Sequence, residues 1–193
     1  MKELTAIVAF ILFMSSSESV KSQTRRERAS EFIVQEGQEL PHFEYVTLDG
    51  DTADTDYIKG QVTIIQFAAS WCPFSQAQLI EHDKRIWRKY GRNTNFSMIG
   101  ICEDAPESRG EFMRQRKSRA IEIPFAFDTD EKIYRLFVTP NGSVTRTILV
   151  DADGIIVGLY DTHTRKNARH IRRGVKCLLR HVQKTETAAS KKK

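Results

Sequence analysis

Apolar and polar positions change their rhythm several times along this chain, and each change marks an element. "VTIIQFA" (62–68) is β-branched and apolar, as a strand buried on both faces should be. From Pro73 the period lengthens. Phe74, Ala77, Ile80, Ile86, Trp87 and Tyr90 recur at three- and four-residue spacings, which predicts a helix, although Asp83 interrupts the stripe. Pro73 suits the first helical turn and Gly91 the stop. "FSMIGIC" (96–102) is the next strand, followed by a polar helix around 106–117. "IPFAFD" (123–128) reads as a short extended piece and "EKIYRLF" (131–137) as a short helix. "VTRTILV" (144–150) and "GIIVGLY" (154–160) bracket a hairpin-like turn at Asp151–Gly154, and an amphipathic helix runs from Thr164 to Val182. Strands alternating with helices, ending in a hairpin and a helix, predict an α/β fold with a mixed central sheet flanked by helices.

The remaining segments are terminal. "MKELTAIVAFILFMSSSESVKS" has Lys2, an apolar run from Leu4 to Met14 and small polar residues afterwards, the layout of a signal peptide ending at Ser22. The run is short for a membrane span, so membrane association is expected only if this segment stays uncleaved. Residues 23–36 read as a polar leader, 37–183 as the domain and 184–193 as a basic flexible tail. With 40% hydrophobic and 28% charged residues in 193, the chain has enough apolar content for one well-packed domain and no signature of disorder. The formal charge of +5 is partly local: residues 165–181 carry seven Arg or Lys and no acid. No aromatic residue interleaves with them, so a solvated face is expected and nucleic acid is not an expected partner.

Cysteine carries the candidate chemistry. Cys72, Cys102 and Cys177 are three, so at least one is free or paired with another molecule, and three are too few for a disulfide scaffold. Cys72 stands where a strand ends and a helix begins. Unpaired N–H groups and the helix dipole then face its sulfur, a setting that stabilises a thiolate. The other reading is a small buried residue kept for packing, and packing is also the expectation for Cys177. The five histidines do not cluster with cysteines at metal-ligand spacing, and Asp128-x-Asp130 and Asp151-x-Asp153-Gly154 lack the further ligands of a calcium loop. No metal and no bound cofactor are implied.

In order and spacing, Gly37-x-x-x-Pro41-x-Phe43, the Asp49–Gly50 turn, Gly60, Trp71–Cys72–Pro73, Pro124 with Asp128, and "ILVDADGIIV" resemble the TlpA/ResA-like branch of the thioredoxin superfamily. These are envelope thiol–disulfide proteins related to the AhpC/TSA peroxiredoxins. The resemblance implies a thioredoxin-like fold, a periplasmic location and a nucleophilic Cys72. It also exposes departures. Ser75 stands where a dithiol enzyme carries its resolving cysteine, Gln78 where the family has an acid, and Thr145 where it has a cis-proline. Peroxiredoxin chemistry fits poorly, because Ala69 stands where that signature requires Thr or Ser.

Two functions remain open at this point. One is monothiol exchange with protein or low-molecular-weight disulfides and thiols, with Trp71, Pro73, Ser75, Gln78, Thr145 and Arg146 surrounding Cys72. Cys102, ending the neighbouring strand, is its candidate second redox cysteine. The other is a redox-inactive binding or chaperone-like module that uses the same groove.

Overall fold

The computed structural model describes residues 31–48 and 50–190. The expected signal segment, most of the leader, Asp49 and the last three lysines lie outside the described residues. A small antiparallel ribbon, β1 (Glu44–Val46) with β2 (Thr52–Asp54), precedes a five-stranded sheet. The sheet contains β3 (Val62–Ala68), β4 (Phe96–Cys102), β5 (Phe125–Phe127), β6 (Arg146–Val150) and β7 (Ile156–Tyr160), ordered β5-β4-β3-β6-β7. β3, β4 and β5 are parallel, while β6 runs antiparallel to both of its neighbours. This is the mixed sheet that the alternation of elements predicts.

β3 lies at the centre, and all seven of its residues are buried. Its alternate side chains enter two separate cores. Ile64 and Ala68 pack with Leu79, Ile86, Ile171 and Val175 under the helices on one face. Ile65 and Phe67 pack with Phe43, Tyr134 and Phe137 on the other. Gly100 of β4 permits the close approach of β5, since a Cβ there would lie 2.1 Å from the Phe125 ring.

The helix after β3 begins as predicted. α1 (Pro73–His82) passes through a π-helical stretch (Asp83–Trp87) into a final turn, α2 (Arg88–Tyr90). The interruption at Asp83 has a cause. This carboxylate is buried, and it accepts from Arg88 Nε at 2.8 Å and from the Glu122 N–H at 2.7 Å. Holding it inward widens the helix locally. Gly91 follows because a Cβ there would lie 2.8 Å from the Trp87 carbonyl oxygen. α3 (Arg109–Ser118) matches the polar helix. The helix expected over 131–137 is reduced to a 3-10 turn at Tyr134–Leu136, because Glu131 adopts φ 54°.

Two boundaries need correction. α4 spans Arg165–Ser190, so the helix expected to end at Val182 extends into the supposed flexible tail. No Gly or Pro stops it, and the hydroxyls of Thr185, Thr187 and Ser190 bond back to carbonyls of the preceding turn. The end of the supposed leader belongs to the folded body. Phe32 bridges to Val138, Val34 is buried, and Glu31 accepts from Thr139 through its backbone carbonyl. No helix among the described residues is long and apolar enough to cross a membrane.

Candidate functional site at Cys72

β3 delivers the chain into a tight turn, Ala69–Cys72, at the C-terminal edge of the sheet. Cys72 has extended backbone angles (φ −97°, ψ 106°) and occupies the N-cap of α1, with Pro73 as the first helical residue. The missing N–H of Pro73 costs nothing at a position where no partner exists, and its fixed φ suits the turn. The next two backbone N–H groups, of Phe74 and Ser75, favour the charged form of the sulfur.

Ser75 is fully buried and serves the turn. Its hydroxyl oxygen accepts from the Ala69 N–H at 3.2 Å. The hydroxyl donates toward the carbonyls of Ala69 (3.1 Å) and Cys72 (3.0 Å). Gln76 donates to the Ala69 carbonyl at 2.8 Å, and the Ser70 N–H donates to the Asp104 carboxylate at 2.8 Å. The turn is therefore held from inside the helix and from the end of β4. Asp104 and Gln76 were not singled out from the sequence. Asp104 had a signal, because polar residues just past a parallel strand's C-terminal end are where such sheets place their sites.

Thr145, the residue leading into β6, faces the thiol. Its hydroxyl lies 3.3 Å from Cys72 Sγ. Burial pushes the Cys72 thiol up, but the Thr145 hydroxyl and the Ser75 and Phe74 N–H groups outweigh it, leaving the thiol below its ordinary value. Cys72 itself is only 8% exposed and packs with Ala69 and Val144. Its neighbours in sequence are not buried: Trp71 is 67% and Phe74 62% exposed, forming an apolar rim around a recessed sulfur.

Other expected site residues lie elsewhere. Arg146 is corrected outright. It pairs with Phe67 in the sheet and points to the face opposite α1, where it is 1% exposed. There it donates to the Asp161 carbonyl at 2.6 Å, pairs with the Glu31 carboxylate and covers the Phe32 ring at 5.2 Å. The reason is the strand's two-residue period: if Thr145 faces the thiol, Arg146 cannot. Gln78 is fully buried one turn below Ser75, and neither of its amide atoms has a hydrogen-bond partner among the described residues.

Cys102 pairs with Ala68 on the β4 side of β3, whereas Cys72 reaches Thr145 on the β6 side. Both thiols are free and sit in different apolar clusters. Burial, with Asp104 and Glu103 beside it, pushes the Cys102 thiol far up, so it is a poor thiolate. Cys177, expected to pack, is exposed on α4. Among the described residues no group of three or more His, Cys, Asp or Glu is arranged to hold a metal. Asp128 and Asp151 accept backbone N–H groups in their own turns.

With this geometry in place, comparison with known proteins decides the family. Residues 36–158 match the AhpC/TSA family. The chain belongs to it. No curated protein matches the chain. Among solved structures, this AhpC/TSA-family chain is similar to a Bacteroides thetaiotaomicron protein provisionally named a protein disulfide isomerase. The two are 27% identical with a TM-score of 0.73, over 78% of this chain and 93% of that one. It also resembles a Chlorobium tepidum protein provisionally named thiol:disulfide interchange protein DsbE, at 19% identity and TM-score 0.66, over 76% and 99% of the two chains. A third similar structure is a secreted Mycobacterium tuberculosis disulfide oxidoreductase homologous to Escherichia coli DsbE. There the identity is 17% and the TM-score 0.56, over 68% and 95%. The fold is thioredoxin-like, and the names of these three structures refer to disulfide chemistry.

Proposed function

We propose that the protein is an exported thiol–disulfide exchange protein that works through Cys72 alone. The observation that carries this reading is the pairing of a hydrogen-bonded, lowered thiol at the start of α1 with a Ser75 hydroxyl committed to the turn backbone. The Cys72 thiolate attacks one sulfur of a disulfide. A Cys72–substrate S–S bond forms, the substrate's S–S bond breaks, and the departing thiolate takes a proton from water. No intramolecular thiol follows, so a second, external thiol must release the adduct. Cys102 is a core residue on this reading. The name given to the 27% identical Bacteroides protein supports thiol–disulfide chemistry. The signal segment expected at 1–22, with the secreted mycobacterial neighbour, supports export to the bacterial envelope. Residues 31–190 then form the working body, with protein or small-molecule disulfides as substrates and no cofactor.

The test is intact mass after incubation with oxidised glutathione. A stable single adduct on Cys72, absent in Cys72→Ala and released by added thiol, is the expected result. In Ser75→Cys the adduct should be short-lived, because the new thiol can displace it. No adduct on the native protein overturns the proposal.

A second reading draws on the exposed Trp71 and Phe74 around a sulfur that is only 8% exposed. An apolar rim over a recessed thiol also suits a non-covalent binding groove. Under that reading Cys72→Ala leaves partner binding intact.

A further inference from the structure

The basic stretch of α4 acquires a setting in the fold that its sequence does not show. The helix turns Ala168, Ile171, Val175 and Leu179 into the core, and these positions fix the direction of all the others. At 3.6 residues per turn, Arg165, Arg169, Arg173, Lys176, Arg180 and Lys184 succeed one another at three- and four-residue steps as one stripe beside the buried face. All six are exposed. The stripe is about 29 Å long at 1.5 Å per residue. No Asp or Glu occurs from 165 to 185.

A second element adds to this charge. Arg85 of the π-helical stretch and Lys89 of α2 line one open cleft of about 250 Å³ together with Arg169, Arg172, Arg173 and Lys176 of α4. Arg172 is taken up by Glu81, at 3.2 Å. Among the described residues the other five form no ion pair. Arg88, next to Lys89, is held by the buried Asp83. Five like charges gathered without internal compensation repel one another, and a cleft of one sign concentrates its field on an incoming anion.

The lining also says which anion. The centre of a protein–protein interface is apolar or aromatic and poor in lysine. Here the centre is Arg and Lys, and the one aromatic side chain on the cleft wall is the half-buried Tyr90. Single-stranded nucleic acid is held by aromatic platforms that this face lacks. A layer of lipid headgroups needs neither feature. It presents many negative charges in one plane, and each basic side chain close to it contributes about fivefold in affinity.

We infer that this face docks the protein on an anionic phospholipid surface, with Arg85, Lys89 and the α4 stripe against the headgroups. The contact needs no membrane-spanning segment. Cys72 caps the other end of the helix that carries Arg85, about 20 Å away along it, so the thiol stays open while the protein is docked. The choice of lipid draws on the proposed export, but the docking itself does not depend on the thiol chemistry.

The test uses the chain from Gln23, the form left by removal of the expected signal segment, which contains the whole described body. Co-sedimentation is measured with vesicles of phosphatidylcholine containing about one third phosphatidylglycerol, and with phosphatidylcholine alone. Binding should require the anionic lipid and should be lost in about 1 M salt, where screening acts within about 3 Å. Absence of binding to the anionic vesicles overturns the inference. Arg173→Gln with Lys176→Gln removes two charges and should weaken binding about 25-fold. Arg173→Lys with Lys176→Arg should bind as wild type. Lys132→Gln with Arg135→Gln removes the same charge beside Tyr134, in the core cluster on the other side of the sheet, and should leave binding unchanged. All four side chains are exposed, so these variants should fold. Equal weakening by the two glutamine pairs would mean net charge alone and overturns the assignment to this face. Polyglutamate bound as tightly as the vesicles overturns the choice of lipid. In a Cys177→Ser background, Cys72 should alkylate at the same rate with and without vesicles. Protection of Cys72 would mean that Trp71 and Phe74 meet the lipid instead, and overturns the docking face. Export is scored separately: a protein recovered from cells that does not begin at Gln23 counts against that reading and leaves the vesicle result standing.

Discussion

Replacing Thr145 by valine removes one hydroxyl and almost no volume. The residue is 2% exposed, and its oxygen is the side-chain atom 3.3 Å from Cys72 Sγ. A hydrogen bond to a charged group contributes about 1.5–3 kcal/mol. Sulfur is a diffuse acceptor, so the lower figure applies. At about 1.4 kcal/mol per factor of ten, the thiolate-to-thiol ratio of Cys72 falls about tenfold at any pH below the midpoint. The methyl group adds desolvation in the same direction. The assay is the iodoacetamide rate from pH 5 to pH 10 in a Cys177→Ser background. Cys102 does not interfere, being fully buried with its thiol pushed far up. The signature is a convergence of the two curves at high pH. Below the midpoint the variant reacts about tenfold more slowly; above it both thiols are fully ionised and react alike. A uniform slowing at every pH would mean that valine blocks access, and coincident curves would mean that the Thr145 bond contributes nothing. Either result refutes the reasoning.

Glu103 is held up at about 9 by burial and by Asp128 and Glu131, against about 4.5 when unfolded. Between those values the unfolded chain binds fewer protons, so stability falls as pH rises; Glu103→Gln should flatten that slope and be the more stable form at pH 8 in urea titrations. His82 acts in the opposite sense: its folded value of about 3 lies below the ordinary value of 6.5, so stability falls as pH drops through that window, by about 1.4 kcal/mol per pH unit. Gly100→Ala places a methyl 2.1 Å from the Phe125 ring and should cost about 1–3 kcal/mol, read as a lower Tm. Arg146→Leu breaks the buried pair with Glu31, which is itself 35% exposed, and should cost about 2 kcal/mol while leaving the Cys72 alkylation profile unchanged. A shifted profile there would return Arg146 to the thiol site.

Much of the fold is written in local pattern. The uninterrupted apolar run of β3 and the change of period at Pro73 place Cys72 at the strand–helix junction without any tertiary information. Tertiary partners decided what was missed. Asp83 is legible as a break in the stripe, but its cause, the Glu122 N–H, comes from a distant loop. Val34 and Phe32 sit in a stretch whose overall composition is polar, and they become core only because Val138 and Phe137 come to meet them. Arg146 was misplaced for a reason the sequence did contain, since neighbours in a strand face opposite ways.

The departures from a dithiol site fit together mechanically. In a dithiol enzyme the second thiol waits beside the mixed disulfide at a high effective concentration, so release is intramolecular and fast. Here that position holds a hydroxyl whose oxygen and proton are both committed to the Ala69–Cys72 backbone. On the proposed single-thiol reading, release scales with the concentration of an external thiol, whereas capture depends only on the Cys72 thiolate. An acid placed to deprotonate an internal resolving thiol has no task in such a site. The neutral Gln78 is consistent with that, and a carboxylate at the same depth would be costly to ionise. On the proposed single-thiol reading, the site forms one covalent bond and holds it until another molecule breaks it.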